Sequence, residues 1–93
     1  MKNTKNAVAE FIKNQINEKG IIDVSCGVET KLCVSAKVLN DALYSLTSEG
    51  YPLYAGRIRK GPNSRDYVTF RVICPLGTEY KDIYNRDRVN IIG

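Results

Sequence analysis

Residues 32–75 read LCVSAKVLNDALYSLTSEGYPLYAGRIRKGPNSRDYVTFRVICP, and the hydrophobic period changes once within them, at Tyr51. Before that point Leu39, Ala42, Leu43 and Leu46 recur at three- and four-residue intervals, the signature of a helix buried on one face. Ser35 is placed to cap its start and Gly50 to stop it after Glu49. A rotation of about 100° per residue sets Lys37, Asn40, Asp41, Tyr44 and Ser48 on the opposite side. After Tyr51 the pattern alternates instead. Leu53 and Ile58 stand among polar and basic neighbours, and Gly61-Pro62-Asn63-Ser64 is a strong turn signal. Val68, Phe70 and Val72 then alternate with Tyr67, Thr69 and Arg71, as in a returning strand, before Pro75 and Gly77 close the unit.

Working outward, the segment upstream divides into three. Asn3 to Glu18 places Val8, Phe11, Ile12 and Ile16 on one helical face, with Asn3 or Thr4 as cap and Gly20 as stop. Ile21 to Val24 is a short β-branched run suited to a small strand. Ser25 can cap a short helix through Leu32, and a tight corner at Cys33 and Val34 leads into the next helix. Two short helices joined by such a corner outline a helix-turn-helix. Downstream, Thr78 to Arg88 predicts a short helix with Tyr80, Ile83 and Tyr84 on one side. Val89, Ile91 and Ile92 follow, to pack on the core or meet another chain.

This order predicts an α+β fold of the winged helix-turn-helix type, with a three-helix core, a two-stranded wing hairpin and a short C-terminal helix or tail. An α+β domain of unrelated connectivity is the alternative. No repeat, low-complexity tract or linker divides the 93 residues, so residues 1–93 read as one domain. Apolar residues are 43% and charged residues 26%, as in folded globular chains. The apolar runs are too short to span a membrane, and MKNTKNAVAEF lacks the apolar centre of a signal peptide. Cys26, Cys33 and Cys74 are odd in number and without CxxC spacing. With no histidine in the chain, they read as small apolar residues of a cytoplasmic protein, neither a disulfide scaffold nor a metal site. Without histidine, and without a Lys-Ser/Thr after the glycines of residues 50–56, the sequence predicts no enzyme and no cofactor.

The net charge of +4 is local. Residues 1–49 hold six basic and six acidic side chains, and residues 76–93 hold three of each. Residues 50–75 carry Arg57, Arg59, Lys60, Arg65 and Arg71 against Asp66 alone, which accounts for the whole excess. Four of the five are arginine, the residue best shaped for bidentate recognition of oxyanions. Cations on an exposed strand also guard it against edge pairing, which is the plainer reading of the same charges.

The pieces LCVS at 32–35, ALYSLTSEGY at 42–51, TFRVICPLGT at 69–78 and YKDIYNRDRV at 80–89 resemble small winged-helix DNA-binding proteins of bacteriophages and related mobile elements. The span from Leu32 to Val89 covers nearly two-thirds of the chain, and the PLGTxY ending with its NRD continuation is its most distinctive part. The resemblance implies a DNA-binding role in a phage, prophage or plasmid setting, in a bacterial cell or a phage-infected host. One departure stands out. Such corners often carry glycine, because the backbone there turns left-handed, and this chain has Cys33. Either Cys33 adopts that conformation or the corner is built differently.

A second helix lying in the major groove would read with its first exposed turns. Asn40 is the candidate for a base edge, pairing both polar groups of adenine. Lys37 could reach guanine or phosphate, Ser35 a phosphate, and Tyr44 the backbone or a thymine methyl. Asp41 opposes these contacts unless it reads cytosine or pairs with Lys37. In the hairpin Arg57 and Arg59 share one strand face, while Lys60 and Arg65 flank a tip able to follow phosphates or enter the minor groove. Arg71, further from the tip, is expected to pair with an acidic residue of the body. Tyr51, Tyr80 and Tyr84 read as amphipathic packing. The expected partner is double-stranded DNA, bound as a homodimer or higher homo-oligomer, with the C-terminal segment as a candidate contact. The competing function is a winged-helix protein-interaction module that uses its wing and its Tyr/Ile-rich tail.

Overall fold

In the computed structural model, residues 4–25, 27–84 and 88–92 are described, the side chains of Ile58 and Tyr84 excepted. The chain forms α1 (Lys5–Lys19), β1 (Ile21–Asp23), α2 (Val28–Lys31), α3 (Ala36–Ser48), β2 (Leu53–Arg59) and β3 (Tyr67–Ile73). A 3₁₀ turn (Tyr80–Tyr84) and β4 (Val89–Asn90) complete it. It is a small α+β domain of three helices and a four-stranded sheet.

The two long helices form where the apolar periodicity places them. Thr4 caps α1 by accepting the Ala7 N–H at 3.2 Å; the alternative cap, Asn3, lies outside the described residues. Gly20 ends the helix at φ 96°, where its N–H still reaches the Ile16 carbonyl. Ser35 caps α3 by accepting the Val38 N–H at 3.2 Å. At the other end Gly50, at φ 106°, lets the Tyr51 N–H turn back to the Leu46 carbonyl. Val8, Ile12 and Ile16 of α1 meet Leu39, Ala42, Leu43 and Leu46 of α3, all buried. Each such Ile or Leu contributes about 1.5–3 kcal/mol through burial.

The short strand expected at Ile21–Val24 forms as β1, but the sheet is larger than the expected two-stranded hairpin, because β1 and a fourth strand join it. Its order is β2-β3-β1-β4, with β1 antiparallel to β3 through Ile22↔Ile73 and Asp23↔Val72. The two-residue β4 lies parallel to β1 through Ile21↔Val89 and Ile22↔Asn90. The Asn90 side chain reinforces that pairing, donating from Nδ2 to the carbonyls of Lys19 at 2.9 Å and Ile21 at 3.1 Å. Periodicity cannot detect β4, because two residues contain no period.

Both faces of the sheet are covered at its centre. Ile22, Leu53 and Ile73 pack towards the helices, joined by Ile92. On the reverse side Ile21, Val72, Cys74 and Ile83 form a second apolar cluster, bordered by Tyr54, Phe70 and Val89. The tail is thus a cover for this face rather than the regular helix expected from Thr78 to Arg88. It makes a 3₁₀ turn whose entry is tied by the Glu79 N–H donating to Asp82 Oδ2 at 2.9 Å. Tyr80 meets Tyr54 edge-on at 5.4 Å, and Tyr51 is half-buried against the main core, in line with packing roles for both.

Two further expectations change around α2 and the corner that leads into α3. The first helix is only Val28–Lys31, and Ser25 does not cap it. The Ser25 hydroxyl instead accepts the Arg71 main-chain N–H at 3.1 Å, while its own N–H donates to Asp23 Oδ1 at 2.8 Å. Serine is therefore held on the strand side, and left-handed Gly27 opens the helix. At the corner Cys33 adopts φ 58°, so the left-handed conformation is kept without glycine. Its side chain is exposed rather than packed, unlike the buried Cys74; Cys26 lies outside the described residues.

Candidate functional site

The hairpin places its charges by register. Strands β2 and β3 pair from Leu53↔Ile73 to Arg59↔Tyr67, so Leu53, Ala55, Arg57 and Arg59 share a face with Tyr67, Thr69, Arg71 and Ile73. Near the core this face is apolar and lies against the helices; further out it is basic and exposed. The opposite face carries Tyr54, Gly56, Val68, Phe70 and Val72. The Phe70 ring lies across Gly56, where an added Cβ would fall 2.8 Å from the ring. Glycine there admits the aromatic side chain and keeps the two strands together.

Arg57, Arg59, Lys60 and Arg65 are all exposed. Arg59 is partly ordered by its cross-strand neighbour. Its guanidinium lies 5.7 Å from the Tyr67 ring centroid, and Nη2 donates to the Tyr67 hydroxyl at 3.2 Å. The tip is closed by the Lys60 N–H donating to the Asp66 carbonyl at 3.0 Å, and Ser64 Oγ accepts the Asp66 N–H at the same distance. Lys60 and Arg65 thus flank a structured turn. Among the described residues the side-chain ion pairs are Lys13–Glu49 and Lys81–Glu79, which involve none of these cations.

On α3, Ser35, Lys37, Asn40 and Tyr44 are exposed, but they do not form one patch. Asn40 faces the hairpin. It lines a groove of about 350 Å³ with Ser25, Glu29, Leu39, Thr69 and Arg71. Tyr44 lines a different groove, between α1 and α3, beside Lys13 and Glu49. Lys13 donates to Glu49 Oε1 at 2.8 Å there, and this bond raises the lysine's pKa. Ser35 spends its acceptor on the helix cap, which leaves its hydroxyl proton to give.

Arg71 is the residue whose role the sequence reading misplaced. Among the described residues it pairs with no acidic side chain. Its Nε donates to the Val24 carbonyl at 3.0 Å and its Nη1 to Asn40 Oδ1 at 2.8 Å. Its main chain exchanges further bonds with Ser25 and Val24. One arginine thereby joins β3, the strand-to-helix connection and the first turns of α3. The alternation of Tyr67, Thr69 and Arg71 signals their common strand face, but only the register shows that α3 lies across it. Among the described residues no group of three His, Cys, Asp or Glu side chains is placed to hold a metal ion. No helix among them is long and apolar enough to cross a membrane. Comparison of the chain with protein-family models, curated proteins and solved structures gives no match.

Proposed function

We propose that this protein is a winged-helix DNA-binding protein of the phage or plasmid type, serving regulation, DNA architecture or segregation. The observation that carries the reading is the shared side of α3 and the hairpin. Asn40 is bonded to Arg71, and the strand face of Arg71 runs outward through Thr69 to Arg57 and Arg59. The order α1-β1-α2-α3-β2-β3, with β1 paired to β3, supports the fold within its α+β class. In this reading α3 enters the major groove with Lys37 and Asn40 towards the bases, and Ser35 meets a phosphate. Arg57, Arg59, Lys60 and Arg65 follow the backbone or the minor groove. Tyr44, seated by the α1 groove, contacts only backbone at the margin. One domain of this size offers a limited footprint, so specific binding uses a homodimer.

Titration of duplex DNA at several salt concentrations tests the proposal. Affinity falls steeply with salt, and neutralising Arg57, Arg59 or Lys60 flattens the log–log slope by up to about one unit each. Failure to bind any duplex at low salt overturns it. A second reading, a protein-interaction module, draws on the exposed apolar side chains Val68, Leu76 and Ile91. It predicts a protein partner retained at high salt and lost on Ile91→Asp but not on Arg59→Ala.

A further inference from the structure

We propose that Arg71 sets the base that Asn40 reads, turning it from adenine to guanine. This inference rests on the DNA-binding reading above and specifies its contact in the major groove.

A free asparagine amide recognises adenine by accepting from N6 and donating to N7 at once. That requires Oδ1 and Nδ2 to be equally available. Here Arg71 Nη1 lies 2.8 Å from the Asn40 amide. A guanidinium has only N–H groups to give, so the amide atom that meets it is the oxygen. The Arg71 guanidinium is itself held by the Val24 carbonyl through Nε, so it turns away from Asn40 only by breaking that bond. The amide plane is therefore fixed. Oδ1 is turned to the hairpin, and the two Nδ2 protons are turned away from Arg71.

An adenine at this position would bring its N6 amino group towards an oxygen that already accepts from Arg71, and its partly positive amino protons towards a guanidinium of the same sign. Guanine presents two adjacent acceptors, N7 and O6, and no donor on that edge. It matches the Nδ2 protons and is attracted by the guanidinium. Thymine offers one acceptor, O4, and cytosine a donor, so both fit less well. Glu29 lines the same groove, its Oε2 accepting the Gly27 N–H at 3.1 Å. A carboxylate makes the groove a poor seat for phosphate. Arg71 is on this account a positioning residue, acting through the Asn40 amide.

The experiment is selection of bound duplexes from a randomised library by the full chain, followed by titration of single-base variants of the selected site. Asn40→Ala identifies the base pair that Asn40 reads, as the one position where discrimination collapses. Guanine at that position, preferred about five- to tenfold over adenine, is the expected result. In Arg71→Met the amide is released, and the preference falls to about twofold or passes to adenine, while preference at other positions is unchanged. Adenine in the wild-type site, or specificity unaltered in Asn40→Ala, overturns the inference and leaves DNA binding intact. The wild-type base decides the matter even if Arg71→Met does not fold. Absence of binding to every duplex overturns DNA binding itself, and this inference with it.

Discussion

The root and the outer half of the β2–β3 hairpin are built from the same two strands by opposite rules. At the root Ile73 and Val72 are wholly buried on opposite faces, one against the helices and the other under the 3₁₀ turn. Four to six residues further out, Val68 and Tyr67 are each 49% exposed, and Arg59 and Arg57 stand in solvent across from Tyr67 and Thr69. The ladder is continuous from one end to the other. Packing therefore fixes the root and lends its geometry to an outer half that adds little stability of its own, leaving the side chains there open to selection for charge. An exposed basic surface and a folding core share one hairpin without competing for residues.

The largest break in this comparison comes from the root. Ile73→Ala is expected to lower stability by about 2–5 kcal/mol, whereas Val68→Ala changes it by no more than about 0.5 kcal/mol, both read by thermal or denaturant unfolding. Comparable losses at the two sites would show that the outer half is also core. Next, the double change Arg57→Ala with Arg59→Ala leaves unfolding within about 0.5 kcal/mol of the parent while removing up to about two units of salt dependence from duplex binding. A stability loss of the Ile73 size would instead assign these arginines to the fold.

A third measurement uses pH. Burial, aided by Asp82, pushes the Cys74 thiol from its usual value of 9.0 up to about 11. Between these values the folded chain holds a proton that the unfolded chain has released, so stability falls as pH rises from about 9 and this loss is complete above about 11. Cys74→Ala removes that part of the alkaline slope. In the native protein a thiol reagent modifies Cys33 quickly and Cys74 only on unfolding, as mapped by peptide mass. The smallest expected effect is Cys33→Gly, which relieves a left-handed non-glycine residue and stabilises by about 0.5–1 kcal/mol. A loss on that change would mean that the Cys33 side chain makes a contact worth more than the backbone strain.

The long elements were legible because their periods are long enough to count. Four apolar residues mark α3, three buried ones mark α1, and β3 alternates over seven residues. Its turn residues fixed the hairpin. What escaped was short or set by distant partners. The strand at Ile21 was legible, but its partner β4, recruited from about seventy residues away, was not, and Ser25 left its capping role for a main-chain N–H on β3. Lys37, Asn40 and the wing arginines were readable as exposed residues of the right chemistry. The placing of Asn40 and Tyr44 in separate grooves, and the tie from Arg71 to Asn40, depend on long-range packing and strand register that no local pattern encodes.

The parallel pairing of β1 with β4 has a mechanical consequence. Tension applied through residue 4 and residue 92 pulls on the leading end of one strand and the trailing end of the other. Parallel neighbours loaded in this way are sheared, so their few hydrogen bonds and the two Asn90 links must fail together rather than in sequence. The hairpin stays outside the path of the force until β1 also parts from β3. This domain should therefore yield at β4 first while the β2–β3 hairpin remains intact, and a single-molecule trace should show the outer strand lost as an early, separate step.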